Sequence, residues 1–191
     1  MRILFCDNGF HHNEIEPDYE AEKKSAEIAG FDCSLISFEE LSRGNSLSAL
    51  KLIKQAETRE IAIYRGWMLT PMQYRNLYDG LLEKNIELIN SPSEYQHCHY
   101  LPDSYAKIEF KTPRSNWTTN LANSAILHST KAFGDRPIIV KDFVKSEKHN
   151  WEDACFIPNA SDGKQVTSVV NKFLELRGDS FNEGLVFREF V

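Results

Sequence analysis

The sequence predicts an α/β chain in two parts: a parallel sheet with crossover helices, then a smaller α+β part, an antiparallel sheet covered by one helix. Three observations lead there. Short β-branched apolar runs alternate with helix-forming stretches through residues 1–90, the pattern of a parallel sheet. Residues 91–135 then become irregular, with Pro92, Pro102 and Pro113 among aromatics. In the last third, two strand-like runs are joined by a short polar connection, followed by one helix and one more strand.

Each element follows from its residues. Arg2-Ile-Leu-Phe-Cys6 reads as a first strand, stopped at Asp7-Asn8-Gly9. Asp18–Ala29 is rich in helix formers, with Gly30 as its stop. Residues 31–37 alternate like a strand, and 46–56 read as helix with Ser46 as cap. Ile61–Arg65 is a third strand, closed by Gly66. Thr70-Pro71, an N-cap followed by proline at the first helical position, opens a helix through about Leu82. Glu87–Asn90 is a fourth strand, stopped by Ser91-Pro92. Ile108–Lys111 reads as a short strand, and Thr112-Pro113-Arg114-Ser115 as the start of a helix through about Ala132. Pro137–Phe143 and Asp153–Pro158 read as strands, 161–176 as a helix, and Gly184–Val191 as a final strand. The division is 1–95, a connector at 96–135, and 136–191.

Composition narrows the function classes. The chain has 191 residues and a formal net charge of −6, which argues against general nucleic-acid or membrane-surface binding. No apolar run approaches the ~20 residues of a membrane helix. Cys6, Cys33, Cys98 and Cys155 are scattered without CxxC spacing, as reduced thiols of a cytoplasmic protein would be.

Several stretches can carry chemistry. Ligands on parallel sheets sit beyond the carboxyl ends of the strands, here Asp7-Asn8-Gly9, Arg65-Gly66-Trp67 and Asn90-Ser91-Pro92. Arg65 and Arg114 suit a carboxylate or phosphate bidentately, or serve as structural ion pairs. One glycine in Cys6–Phe10 excludes the spaced three of a dinucleotide loop. His97-Cys98-His99, read as strand, alternates faces, and two histidines do not fill a tetrahedral metal site. Lys141 ends an apolar strand, Pro137-Ile-Ile-Val-Lys141, and its ammonium needs a partner. That partner is either phosphate oxygens, water on a wet face, or a structural carboxylate. Lys145, Ser146, Lys148 and His149 follow in a polar loop able to fold over a polyphosphate, or to remain a solvated hairpin.

The order of these features resembles the first half of an ATP-grasp protein. Arg-Gly-Trp-Met-Leu-Thr-Pro (65–71), His-Cys-His-Tyr-Leu-Pro (97–102) and Ile-Val-Lys-Asp (139–142) are similar to a bacterial and phage branch of that superfamily, and the likeness runs through essentially the whole chain. It implies a Rossmann-like pre-ATP-grasp domain followed by an ATP-grasp lid subdomain. It also implies ATP and Mg²⁺ as cofactors, a carboxylate–amine ligase activity through an acyl phosphate, and a small-molecule carboxylate as substrate. Lys141 then holds the α/β-phosphates, and Lys145, Ser146 and Lys148 occupy the phosphate-covering loop. Glu189, Phe190 and Val191 form the adenine hinge, with Phe187 on the adenine wall. Arg65 and Arg114 are assigned to substrate. The family's metal ligands, an acid pair and an asparagine, lie after the hinge, so none is expected in this chain. A separate C-terminal half or a second copy is the expected partner. The other reading of the same residues is a nucleotide-binding or protein-interaction module that keeps the fold without the reaction.

Overall fold

A computed structural model describes residues 1–191, which divide into two compact units, Met1–Gln96 and His97–Val191. In chain order the first holds β1 (Arg2–Asn8), β2 (His11–Ile15), α1 (Glu20–Ile28), β3 (Asp32–Ile36), α2 (Phe38–Ser42), α3 (Ser46–Ala49), β4 (Glu60–Arg65), α4 (Pro71–Leu82), β5 (Ile86–Leu88) and most of α5 (Pro92–His99). The second holds α6 (Leu101–Ile108), β6 (Ser115–Thr118), α7 (Asn123–Thr130), β7 (Ile138–Asp142), α8 (Trp151–Ala154), β8 (Phe156–Ile157), α9 (Gly163–Arg177) and β9 (Leu185–Glu189).

In the first unit β1 is central. It pairs in parallel with β3 on one side and β4 on the other, and β4 pairs in parallel with β5. Leu4, Phe5 and Cys6 are fully buried, as a central strand requires. Leu4, Ile36, Ala62, Leu77, Leu81 and Ile86 share one apolar core. The helix expected after Thr70 is present and closed by a reciprocal cap: Thr70 Oγ1 accepts from the Gln73 N–H, and Gln73 Oε1 accepts from the Thr70 N–H at 2.8 Å.

The second unit is a four-stranded antiparallel sheet in the order β6-β9-β7-β8. Strand β7 alternates: Ile138, Val140 and Asp142 are buried, while Ile139 and Lys141 are half-buried. Helices α7 and α9 cover the first face, where Ile126, Val140, Val166, Val170, Phe173 and Phe187 pack together. Asp162 caps α9, its Oδ1 accepting from the N–H groups of Lys164 and Gln165 at 3.0 and 3.1 Å.

Several elements differ from the sequence expectation. Thr112-Pro113-Arg114-Ser115 does not start a helix. Ser115–Thr118 instead pairs with β9, and the Ser115 N–H is taken by the Tyr105 hydroxyl at 3.0 Å. Residues 108–111 end a helix rather than forming a strand. The helix at 46–56 is only Ser46–Ala49, because the Ala49 carbonyl accepts from the Ser37 N–H across the unit. The strand expected at 153–158 shrinks to Phe156–Ile157 behind α8. β2, a polar strand antiparallel to the end of β1, has no apolar signal and was not expected. His97, Cys98 and His99 lie on a helix, not a strand.

Candidate functional site

The second face of the β6–β9 sheet collects the chemistry. Cross-strand partners share a face. Ile139 opposes Arg188, and Lys141 opposes Val186, so Lys141 and Arg188 are diagonal neighbours on that face. On β8, Phe156 opposes Ile139 and joins it there. Val186 is covered by Tyr100, Leu101 and Trp117 at one end.

At the other end three rings cluster. Trp151 and Phe156 stack at 5.3 Å, and Phe190 meets both edge-on at 5.5 and 5.2 Å. Phe190 is half exposed, so the cluster presents flat apolar surface to solvent.

Lys141 is held rather than paired with an acid. Its Nζ donates to the Val144 carbonyl at 2.9 Å. Burial pushes its pKa down. Asp142 works against that shift, and Arg188 adds to it by like-charge repulsion. Two cations therefore sit close together on one face while the nearest acid, Asp142, points to the opposite face.

Asp142 builds the loop that follows. It is fully buried, and its Oδ1 accepts from the Val144 and Lys145 N–H groups at 2.7 and 2.5 Å. Its Oδ2 takes Arg177 from the end of α9 at 3.1 Å, and Arg177 also reaches Glu147 at 3.2 Å. The backbone of 144–147 is thus pinned at both ends while Lys145 and Lys148 are exposed and Ser146 is half-buried.

The other expected residues fall as follows. Phe187, expected on an adenine wall, faces the helix-packed core and is fully buried, because 187 and 188 point to opposite faces of β9. Glu189 pairs with Arg136 at 2.6 Å. The N–H groups of Glu189 and Phe190 donate to the Arg114 and Pro137 carbonyls. Val191 is exposed. Arg114 is exposed and lies over the Phe133 ring at 5.9 Å. Arg65, in the first unit, pairs with Glu22 at 2.6 Å and lies over Tyr19 at 5.2 Å. Trp151, Phe156 and Arg188 were missed. Arg188 carries no local signal of its own, since Leu185, Val186 and Phe187 before it are all apolar and register decides which face it takes. Trp151 and Phe156 carry no local signal, since only the fold brings them to Phe190.

At the carboxyl end of β1, Asp7 is buried and its Oδ2 accepts from His12 Nδ1 at 2.6 Å. Burial pushes its carboxyl up, and the His12 hydrogen bond opposes that shift. Gly66 is required beside it, since a Cβ there would lie 2.4 Å from Cys6 Sγ.

Residues 132–191 match the sequence model described as ATP-grasp domain, R2K clade family 3. No curated protein sequence matches the chain. Among solved structures, the chain is similar to the RimK domain protein ATP-grasp from Sphaerobacter thermophilus DSM 20745, with a TM-score of 0.59, 11% identity, and coverage of 100% of this chain and 63% of that one. It is similar to the D-cycloserine synthetase DcsG with a TM-score of 0.58 and 9% identity, covering 100% and 60% of the two chains. It is also similar to the N5-carboxyaminoimidazole synthetase of Staphylococcus aureus, complexed with ADP, with a TM-score of 0.53 and 11% identity, covering 100% and 46%. The chain thus spans less than two thirds of the length of these proteins, and the likeness at such identities is one of fold.

Proposed function

From a chain that is ATP-grasp in fold and matches the R2K clade over residues 132–191, we propose that the second unit supplies the phosphate-facing wall of an ATP site in a carboxylate–amine ligase of the acyl-phosphate type. One observation carries the reading: Lys141 and Arg188 share a sheet face that ends in an exposed cluster of three aromatic rings. Adjacent cations without an acid between them suit phosphate oxygens. Flat rings beside them suit a purine base. Lys145, Ser146 and Lys148 sit on a loop whose backbone is pinned by Asp142, and they are assigned to closing over the phosphates. With the Glu189 and Phe190 N–H groups already engaged, main-chain contacts from these two residues to the base fall to their carbonyls. Arg114 is assigned to the substrate carboxylate ahead of Arg65, whose guanidinium already engages Glu22.

Bound ATP supplies the phosphoryl group that turns a carboxylate into an acyl phosphate, from which an amine displaces phosphate. The chain's own part is positioning and charge stabilisation. No set of three or more histidine, cysteine, aspartate or glutamate side chains is arranged to hold a metal ion. No step is derived through the Mg²⁺ that the resemblance implies.

Calorimetric titration of the 191-residue chain with ATP tests the reading. Lys141→Met is expected to weaken binding by about 10- to 100-fold, since hydrogen bonds to charged groups contribute ~1.5–3 kcal/mol. Absence of ATP binding to the parent chain, or equal affinity in Lys141→Met, overturns the assignment. pH adds an independent arm. The protonated lysine holds phosphate, so affinity is complete below its folded pKa and falls as pH rises through it. Because burial lowers that pKa, the fall begins below the ordinary 10.5. Lys141→Arg keeps its charge and is expected to flatten the alkaline limb.

A further inference from the structure

The first unit contains a cavity that the nucleotide reading does not use. It lies at the carboxyl ends of β1 and β3, where parallel sheets hold ligands, and has a volume of about 410 Å³. That is within the range of small-molecule sites. Asp7 and Ser37 line it from the buried side, while His12, Asn13, Lys51 and Leu52 are exposed at its rim.

Polar groups in this region are left without partners. Asp7 Oδ1 and Ser37 Oγ are both buried and have no hydrogen-bond partner of good geometry, in residues only 2% and 7% exposed, although the Phe38 N–H is near enough to the Asp7 carboxyl to hold its pKa down somewhat against the upward push of burial. Two residues after Ser37, Glu39 has a third buried oxygen, Oε2, without a partner. Native proteins satisfy more than about nine in ten such groups, so three in one region call for a cause. Glu39 sits against the β1–β2 turn: a Cβ on Gly9 would lie 2.6 Å from its Oε1. The two carboxyls are close enough for Glu39 to push the Asp7 proton affinity up.

The chemistry of the deficit selects the ligand. The unmatched oxygens of Asp7 and Glu39 are acceptors, and the Ser37 hydroxyl can also accept, so the missing partner is a donor. His12 is already spent on Asp7 Oδ2. Nearby cations do not supply it: Arg43 engages Glu40, and Lys51 stands at the exposed rim. No side-chain set here is arranged to hold a metal ion. An organic ammonium brings three donors and one positive charge to a site that lacks both.

We propose that this cavity binds a small molecule through a primary ammonium group, with Asp7 and Ser37 as its acceptors and Lys51 placed to meet an anionic arm. Free α-amino acids are the ligand class that fits both ends. The proposal stands independently of ATP.

Two-dimensional ¹H–¹⁵N spectra of the 191-residue chain, titrated with the common α-amino acids and with their N-acetylated forms, test it. At least one free amino acid is expected to shift the amides of Asp7, Ser37 and Phe38 saturably, and its N-acetyl form to leave them in place. Asp7→Asn is expected to weaken that binding at least tenfold. Should Asp7→Asn not fold, Ser37→Ala stands in its place under the same criterion. The proposal is overturned if no amino acid moves these amides, if acetylation makes no difference, or if the variant binds as tightly as the parent chain.

Discussion

Asp142→Ala is expected to lower the stability of the second unit by about 3–5 kcal/mol, the range seen when one partner of a buried ion pair is removed. Asp142 is fully buried and holds four groups: the N–H of Val144, the N–H of Lys145, and the Nε and Nη2 of Arg177. Alanine leaves the two N–H groups and Arg177 Nε without this acceptor, while Arg177 Nη2 keeps only the Ser180 carbonyl at 2.7 Å, and the Arg177 side chain is only 14% exposed. Asparagine keeps one acceptor oxygen for the two N–H groups but not the charge, so Asp142→Asn is expected to fall between. Urea denaturation of the three proteins measures this. The coupling is checked by a cycle with Arg177→Met: the double variant is expected to lose less than the sum of the two single losses. A loss below about 1 kcal/mol for Asp142→Ala would place it among ordinary surface effects and remove the anchoring role.

The same residue shows what the sequence could and could not convey. The lysine ending Ile138-Ile139-Val140-Lys141 stands out locally, because a cation in an apolar run demands a partner. Asp142, one position on, looks like another solvated charge. Its burial follows only from strand alternation and from Arg177, which is 35 residues away in the chain. The parallel layer was legible because its strands are short apolar runs with glycine or proline stops. β2 was not, because His11-His12-Asn13-Glu14 has no buried face. Thr112-Pro113 was misleading for a physical reason: it has the chemistry of a helix start, and pairing with β9 prevailed over that local preference. The candidate site divides the same way. Lys141 and the loop after it were legible. Arg188 was hidden because register decides which face it takes. The Trp151–Phe156–Phe190 cluster was hidden because contact between distant rings is a product of the fold.

Phe173→Ala is expected to destabilise the second unit by roughly 3–5 kcal/mol, the usual range for deleting a buried ring. Phe173 is fully buried on α9, meets Phe181 edge-on with 6.5 Å between ring centroids, and belongs to the cluster containing Ile138, Val140 and Phe187. Most of that cost is transfer free energy and the cavity left behind, so Phe173→Leu, which fills much of the space, is expected to lose distinctly less. Urea midpoints order the three proteins, and equal midpoints for leucine and alanine would mean that the site collapses around the gap. The loss also reaches the proposed site. Val140 and Phe187 press against α9, while their chain neighbours Lys141 and Arg188 turn to the other face. Packing on one side of β7 and β9 therefore sets the spacing of the cations on the other. Phe173→Ala, measured where the chain is still folded, is expected to weaken ATP binding without touching any group assigned to the nucleotide. ATP affinity unchanged in the folded variant would show that the two faces of the sheet are uncoupled.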